Sequence, residues 1–176
     1  GWGDPLAYAD LPLPDGWEVE VSVRDESAKL PINTMQAEGL NRLLEESLDF
    51  DFGTARELSS TLLDWIDEDD DRRLNGAESN EYLSRDPPYR AANRPLQSLR
   101  ELRLLEVWDE TFFDVDGRPN EAFRRLGSLA SVLNARRVNL NSASRPLLAL
   151  LALSDGYDGD YLFVGLEAPY LTAPPP

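Results

Sequence analysis

Between two stretches of helical hydrophobic periodicity the chain places Asp64-Trp-Ile-Asp67-Glu-Asp69-Asp-Asp71, six carboxylates with no base among them. Whatever fold forms must offset their mutual repulsion with cations or hydrogen-bond donors. Counted from Asp67, carboxylates fall at positions 1, 3, 5 and 12 (Asp67, Asp69, Asp71, Glu78), with an apolar residue at 8 and Asn75 at 9. That order approaches the twelve-residue calcium loop, which draws its ligands from positions 1, 3, 5, 7, 9 and 12. Position 6 breaks the pattern. It calls for a glycine with positive φ and is Arg72 here, a substitution costing roughly 1–3 kcal/mol if the turn were forced. The expectation is a Ca2+ site at Asp67, Asp69, Asp71, Asn75 and Glu78, in a loop that departs from the standard EF-hand. The competing reading is a solvated turn with Arg72 and Arg73 as local neutralisers.

Composition narrows the chemistry. The 33 acids against 17 bases give a formal charge of -16, which repels phosphates and argues against nucleic acid as a partner. No histidine and no cysteine are present, so Ser-His-Asp, Cys-His and His-bound zinc catalysis are excluded, as are disulfides. With 176 residues and 41% apolar content, the chain can build one ordinary domain or two small ones. No apolar run approaches the ~20 residues that span a bilayer. Gly1-Trp2-Gly3-Asp4 reads as an interior point of a longer protein.

Periodicity changes along the chain. Residues 1–16 read as an irregular lead-in, and Trp17–Val23 alternates like a half-buried strand. Asp25–Asn33 continues as a turn and a second extended piece. Met35, Leu40, Leu43, Leu44 and Leu48 fit a helix capped by Asn33 or Thr34. A helix opening at Gly53-Thr54 carries Ala55, Leu58, Leu62, Leu63 and Ile66 into the acidic run, and a short helix with Tyr82 and Leu83 follows Gly76. Asn93-Arg-Pro95 reads as a cap before Leu96, Leu99, Leu102 and Leu105. Residues 108–120 read as irregular, with a plain turn at Asp114–Gly117 favoured over a second oxygen cluster. Helical segments are expected over 121–133 and from Ala143 to Leu153, then a strand at Tyr161–Val164 and a loose tail. This order gives an α+β class, a small sheet interrupted by a helical block.

Several phrases together resemble one family. Asp25-Glu-Ser-Ala-Lys-Leu-Pro-Ile-Asn33, Leu63-Asp-Trp-Ile-Asp67 with Gly76-Ala-Glu78, Pro88-Tyr-Arg-Ala-Ala-Asn93 before Ser98-Leu-Arg-Glu-Leu102, and Val138-Asn-Leu-Asn-Ser-Ala-Ser144 occur in this order. The chain thereby resembles the K-type minor pseudopilins of type II secretion over most of its length. The resemblance implies a pilin-like antiparallel sheet with a large helical (SAM-like, helix-hairpin-like) insert. It divides the chain into strands over 1–33, a helical insert with the acidic loop over 34–136, and a second helix-hairpin-like unit with a C-terminal strand over 137–176. It also implies calcium binding, with Asp67, Asp69 and Glu78 matching by position. A periplasmic site follows, at a pseudopilus tip beside I- and J-type partners, anchored to the inner membrane through an N-terminal helix absent here. The second unit looks shortened after Leu153.

An assembly protein, not an enzyme, is the resulting expectation. The alternative is a free-standing calcium-binding extracytoplasmic adhesion or scaffold module. Carboxylate pairs within one loop do not flank a substrate as glycoside hydrolysis requires. Val138–Leu153 lacks the glycine-bearing hairpin with which DNA-gripping units hold phosphates. Trp65, Trp108 and Phe112-Phe113 are read as core rather than as a docking patch.

Overall fold

Asp25, Asn33 and Asn139, polar residues from two of the recurrent phrases, pin the ends of the chain's helical block together in the computed structural model, which describes residues 24–134 and 138–152. Asp25 caps a 3₁₀ turn over Glu26–Ala28 by accepting from the Ser27 N–H at 2.9 Å. Its second oxygen accepts from Asn139 Nδ2 at 2.7 Å, and the Asn139 N–H donates to the Ser27 carbonyl at 2.7 Å. Asp25-Glu-Ser-Ala-Lys-Leu-Pro-Ile-Asn33 and Val138-Asn-Leu-Asn-Ser-Ala-Ser144 therefore touch.

A short strand, β1 (Leu30–Pro31), pairs with β2 (Ala130–Ser131) in parallel, with Leu30 opposite Ala130. The antiparallel sheet expected from the sequence is not what the described residues form. The chain between these strands is a helical crossover, and a crossover returns it in the same direction. The strands expected at 17–23 and 161–164 lie outside the described residues.

Asn33 is not a helix cap. Its Nδ2 donates to the carbonyls of Leu96 and Val132, each at 2.9 Å, and its Oδ1 accepts from the Leu96 N–H at 2.8 Å. The chain passes first through a 3₁₀ turn (Ile32–Thr34), so the first helix, α1 (Ala37–Arg42), starts later behind Gln36. α1 widens into a π turn over Leu43–Ser47, keeping Leu43 and Leu44 fully buried. Asp51 then caps α2 (Phe52–Ile66), accepting from the N–H groups of Gly53 and Thr54. α2 turns Ala55, Leu58, Leu62 and Trp65 inward, while Leu63 and Ile66, expected on the same stripe, are half-buried.

Beyond α3 (Ser79–Leu83), Ser98 rather than Asn93 caps the next segment, a 3₁₀ helix over Leu99–Leu104. Glu101 reaches back to the Ser98 N–H at 3.2 Å, closing a capping box. The stretch read as irregular begins with α4 (Glu106–Phe112), because Trp108 and Phe112, one turn apart, stack at 4.8 Å and bury completely. Trp108 Nε1 donates to the Leu58 carbonyl at 2.9 Å and locks α4 to α2. Asp114–Arg118 is a plain turn, with Asp114 Oδ1 accepting from the Asp116 and Arg118 N–H groups and Gly117 at φ 72°. α5 (Glu121–Leu129), capped by Asn120, leads into β2, and α6 (Arg145–Ala152) lays Leu147, Leu150 and Leu151 near the π turn. One apolar core joins Leu30 and Ile32, the helices, and α6 across the boundaries read at 33/34 and 136/137. Among the described residues no helix is long and apolar enough to cross a membrane.

Candidate metal centre

The last turn of α2 and the first residue before α3 face each other across the acidic loop. Asp64 lies on the inward side of α2, three residues after the buried Thr61, and its side chain is fully buried. Asp67 follows at the helix end, its N–H bonded to the Leu63 carbonyl. Glu78 enters from the far side, 2% exposed. Asp64, Asp67 and Glu78 each bring one oxygen to a point where all lie within 4.8 Å of one another.

Local backbone chemistry builds this convergence. Asn75 takes the left-handed turn at φ 67°, a conformation asparagine tolerates better than most residues. The strain anticipated at Arg72 is thus moved to a residue suited to it. A Cβ at the next position, Gly76, would overlap the Asp64 carboxylate, so glycine is what lets the carboxylate come so close. Asn93, in the left-handed region at φ 44°, clamps the loop from below: its N–H donates to the Trp65 carbonyl at 3.0 Å and its Nδ2 to the Asp69 carbonyl at 3.2 Å. Trp65, Tyr82 and Tyr89 pack ring against ring beneath, at 5.0–6.3 Å between centroids.

Charge in the cluster is only half answered. Arg73 Nη1 donates to Asp64 Oδ1 at 2.7 Å and to Asp67 Oδ2, and the Arg73 N–H donates to Asp64 Oδ2 at 3.2 Å. Both oxygens of Glu78 and Asp67 Oδ1 are buried with no hydrogen-bond partner. Buried unpaired oxygens are costly. The Glu78 carboxyl is accordingly pushed up to about 7, by burial first and then by the charges of Asp64, Asp67, Asp70 and Asp69. Burial also raises Asp64, against the pull of Arg73.

Of the residues expected to hold an ion, the structure brings Asp67 and Glu78 together and adds Asp64. Asp69, Asp71 and Asn75 are exposed. The Asp69 carboxylate accepts from the Asp71 N–H at 2.8 Å, forming a local turn. Asp64 escaped the count because the count began at Asp67. Its signal was an acid beside Trp65 on the buried face of α2, with a glycine twelve residues on. The donor set is all oxygen, which suits a hard divalent cation. The three carboxylates fit such an ion: three of their oxygens are buried without partners, and once ionised they outnumber the one arginine cation, Arg73, three to one.

The fold and this cluster define a helical module that gathers three carboxylates at one point and carries a short parallel strand pair. A family model described as "Type II secretion system (T2SS), protein K" matches residues 21–135. Type II secretion system protein K of Pseudomonas aeruginosa is 31% identical over 161 residues, covering 85% of this chain and 44% of that protein. The Klebsiella pneumoniae protein of the same name is 40% identical over 89 residues, covering 51% and 26%. A chain in the crystal structure of the GspK-GspI-GspJ complex from the enterotoxigenic Escherichia coli type 2 secretion system superposes with a TM-score of 0.58 at 25% identity, covering 73% of this chain and 47% of that one. The chain spans no more than half the length of the curated relatives it matches. It belongs to the type II secretion system protein K family.

Proposed function

We propose that this chain is the helical part of a K-type minor pseudopilin, a structural component that supports protein secretion across the outer membrane. In this reading it works in the periplasm, at the tip of the pseudopilus, joined to I- and J-type pseudopilins and held to the inner membrane by an N-terminal helix. The observation that carries the reading is the family match over residues 21–135, which contains the helices of the block and the acidic loop. The likeness to a chain of a three-pseudopilin complex adds support for the partners. The bulk of α1 to α5 gives the reading its mechanism: a helical block of this size caps a filament better than it fits within a shaft.

Calcium is the proposed ion, held by Asp64, Asp67 and Glu78. It would join the end of α2 to the start of α3 and offset the buried charge, a structural task with no chemical step. Extracellular modules bind calcium with Kd of about 10⁻⁴–10⁻³ M. At ten times Kd the ion stabilises the fold by about 1.4 kcal/mol. Size-exclusion chromatography with purified soluble regions of I- and J-type pseudopilins tests the assembly: co-elution of all three supports it, and separate elution in calcium buffer refutes it. Melting curves test the ion. Calcium should raise Tm, and Asp67→Ala should remove the rise.

A further inference from the structure

Arg73 is placed oddly for a residue beside a cation site. Its guanidinium touches the Asp64 and Asp67 carboxylates, and it is 42% exposed while Asp64 is wholly buried. We propose that Arg73 is a built-in counter-cation that holds two of the carboxylates a divalent ion would use, and so sets the concentration at which that ion binds. This rests on reading the three carboxylates as a cation site.

Geometry carries the argument. Asp64 Oδ1 and Asp67 Oδ2 are held by the Arg73 side chain, whereas Asp67 Oδ1 and both Glu78 oxygens have no partner. An ion meeting all three carboxylates lies within a few ångströms of the guanidinium. Like charges that close repel strongly in a poorly solvated pocket. The two cations therefore exchange. Arg73 can leave because its side chain already borders water, and its backbone N–H still donates to Asp64 at 3.2 Å, so the loop keeps its anchor. Without the ion, the guanidinium spares Asp64 the cost of a buried, unpaired charge. With it, three carboxylates face two positive charges from the ion alone. Arg72 has no part in this: it pairs with Glu81 at 2.9 Å, and Glu81 in turn accepts from the Glu78 N–H.

Calorimetric calcium titrations at pH 7.5 compare the unaltered chain with Arg73→Gln, Arg73→Met, Arg73→Lys and Arg72→Gln. The two neutral variants should bind calcium about ten-fold or more tightly. Arg73→Lys should stay near the unaltered chain, and Arg72→Gln should match it. Urea midpoints give the readout that a merely structural arginine would not produce. In EDTA the neutral variants should unfold earlier than the unaltered chain, and in saturating calcium they should equal or exceed it. Calcium binding to the neutral variants that is no tighter than to the unaltered chain would overturn the inference while leaving the site intact. Absence of binding in every protein would sink the cation reading and this inference together.

Discussion

Glu78 joins a structural position, the residue that opens α3, to a charge its surroundings do not answer. Its folded pKa of about 7 stands above the ordinary 4.5, so the folded chain holds a proton that the unfolded chain releases. Stability of the calcium-free protein therefore falls as pH rises from about 4.5 to about 7, by about 3 kcal/mol for this group. Below that window both states are protonated and the group contributes nothing; above it the whole penalty is present. Burial raises Asp64 in the same direction, while Asp25, Asp51 and Glu81 are lowered and act only at more acid pH. Urea denaturation in EDTA at pH 5.5 and pH 8 should show the loss, and Glu78→Gln should flatten it. A wild-type midpoint that climbs over that range contradicts the account. Gly76 makes a sharper test of packing. A methyl group there overlaps the Asp64 carboxylate, so Gly76→Ala should destabilise by about 1–3 kcal/mol, and a denaturation midpoint equal to wild type would mean the carboxylate is not so placed.

Whole elements are tied by single amide side chains, and Asn33 is the clearest case. Three hydrogen bonds from one residue link the start of the block to Leu96 and Val132. Asn33→Ala leaves two carbonyls and one N–H without it and should cost about 2–3 kcal/mol in chemical denaturation. Asn33→Asp, which keeps the acceptor and loses both donors, should recover only a fraction. A loss under about half a kcal/mol, the ordinary surface scale, would show these bonds to be dispensable. Asn33 also marks where sequence reasoning stopped. Helices with a strong apolar period were legible: α2, α5 and α6 fall within a few residues of expectation, because burial of one face decides them. Its role was not, since a polar side chain bonding residues 63 and 99 positions away leaves no local pattern. α4 was missed for a related reason: Trp108 and Phe112 hold it through contacts with Leu58 and Phe50, not through propensity. In the acidic loop, the carboxylate wealth and the ends Asp67 and Glu78 were readable. That Asp64, rather than Asp69 or Asp71, converges with them was not, because it depends on which side of α2 faces Gly76.

For the molecule as a whole, a formal charge of -16 acts on every element at once. Self-repulsion destabilises a compact state, and salt screens it over roughly 10 Å at 0.1 M. In EDTA, raising NaCl from about 0.05 to about 0.5 M should therefore raise Tm. Calcium has two routes to stabilising such a chain, and salt separates them. Ions that only gather in the diffuse atmosphere around exposed acids such as Glu68, Asp69 and Asp70 lose their effect at high salt, and magnesium serves as well as calcium. An ion held by Asp64, Asp67 and Glu78 sits where two of the three side chains are buried, and buried pairs are screened far less. The calcium increment in Tm should then survive at 0.5 M NaCl. Magnesium, which demands near-octahedral geometry and sheds water reluctantly, should give less. Differential scanning fluorimetry across the two salts and two ions decides between the routes. An increment that vanishes at high salt, or that magnesium matches, assigns the effect to net charge and leaves the buried carboxylates to Arg73 alone.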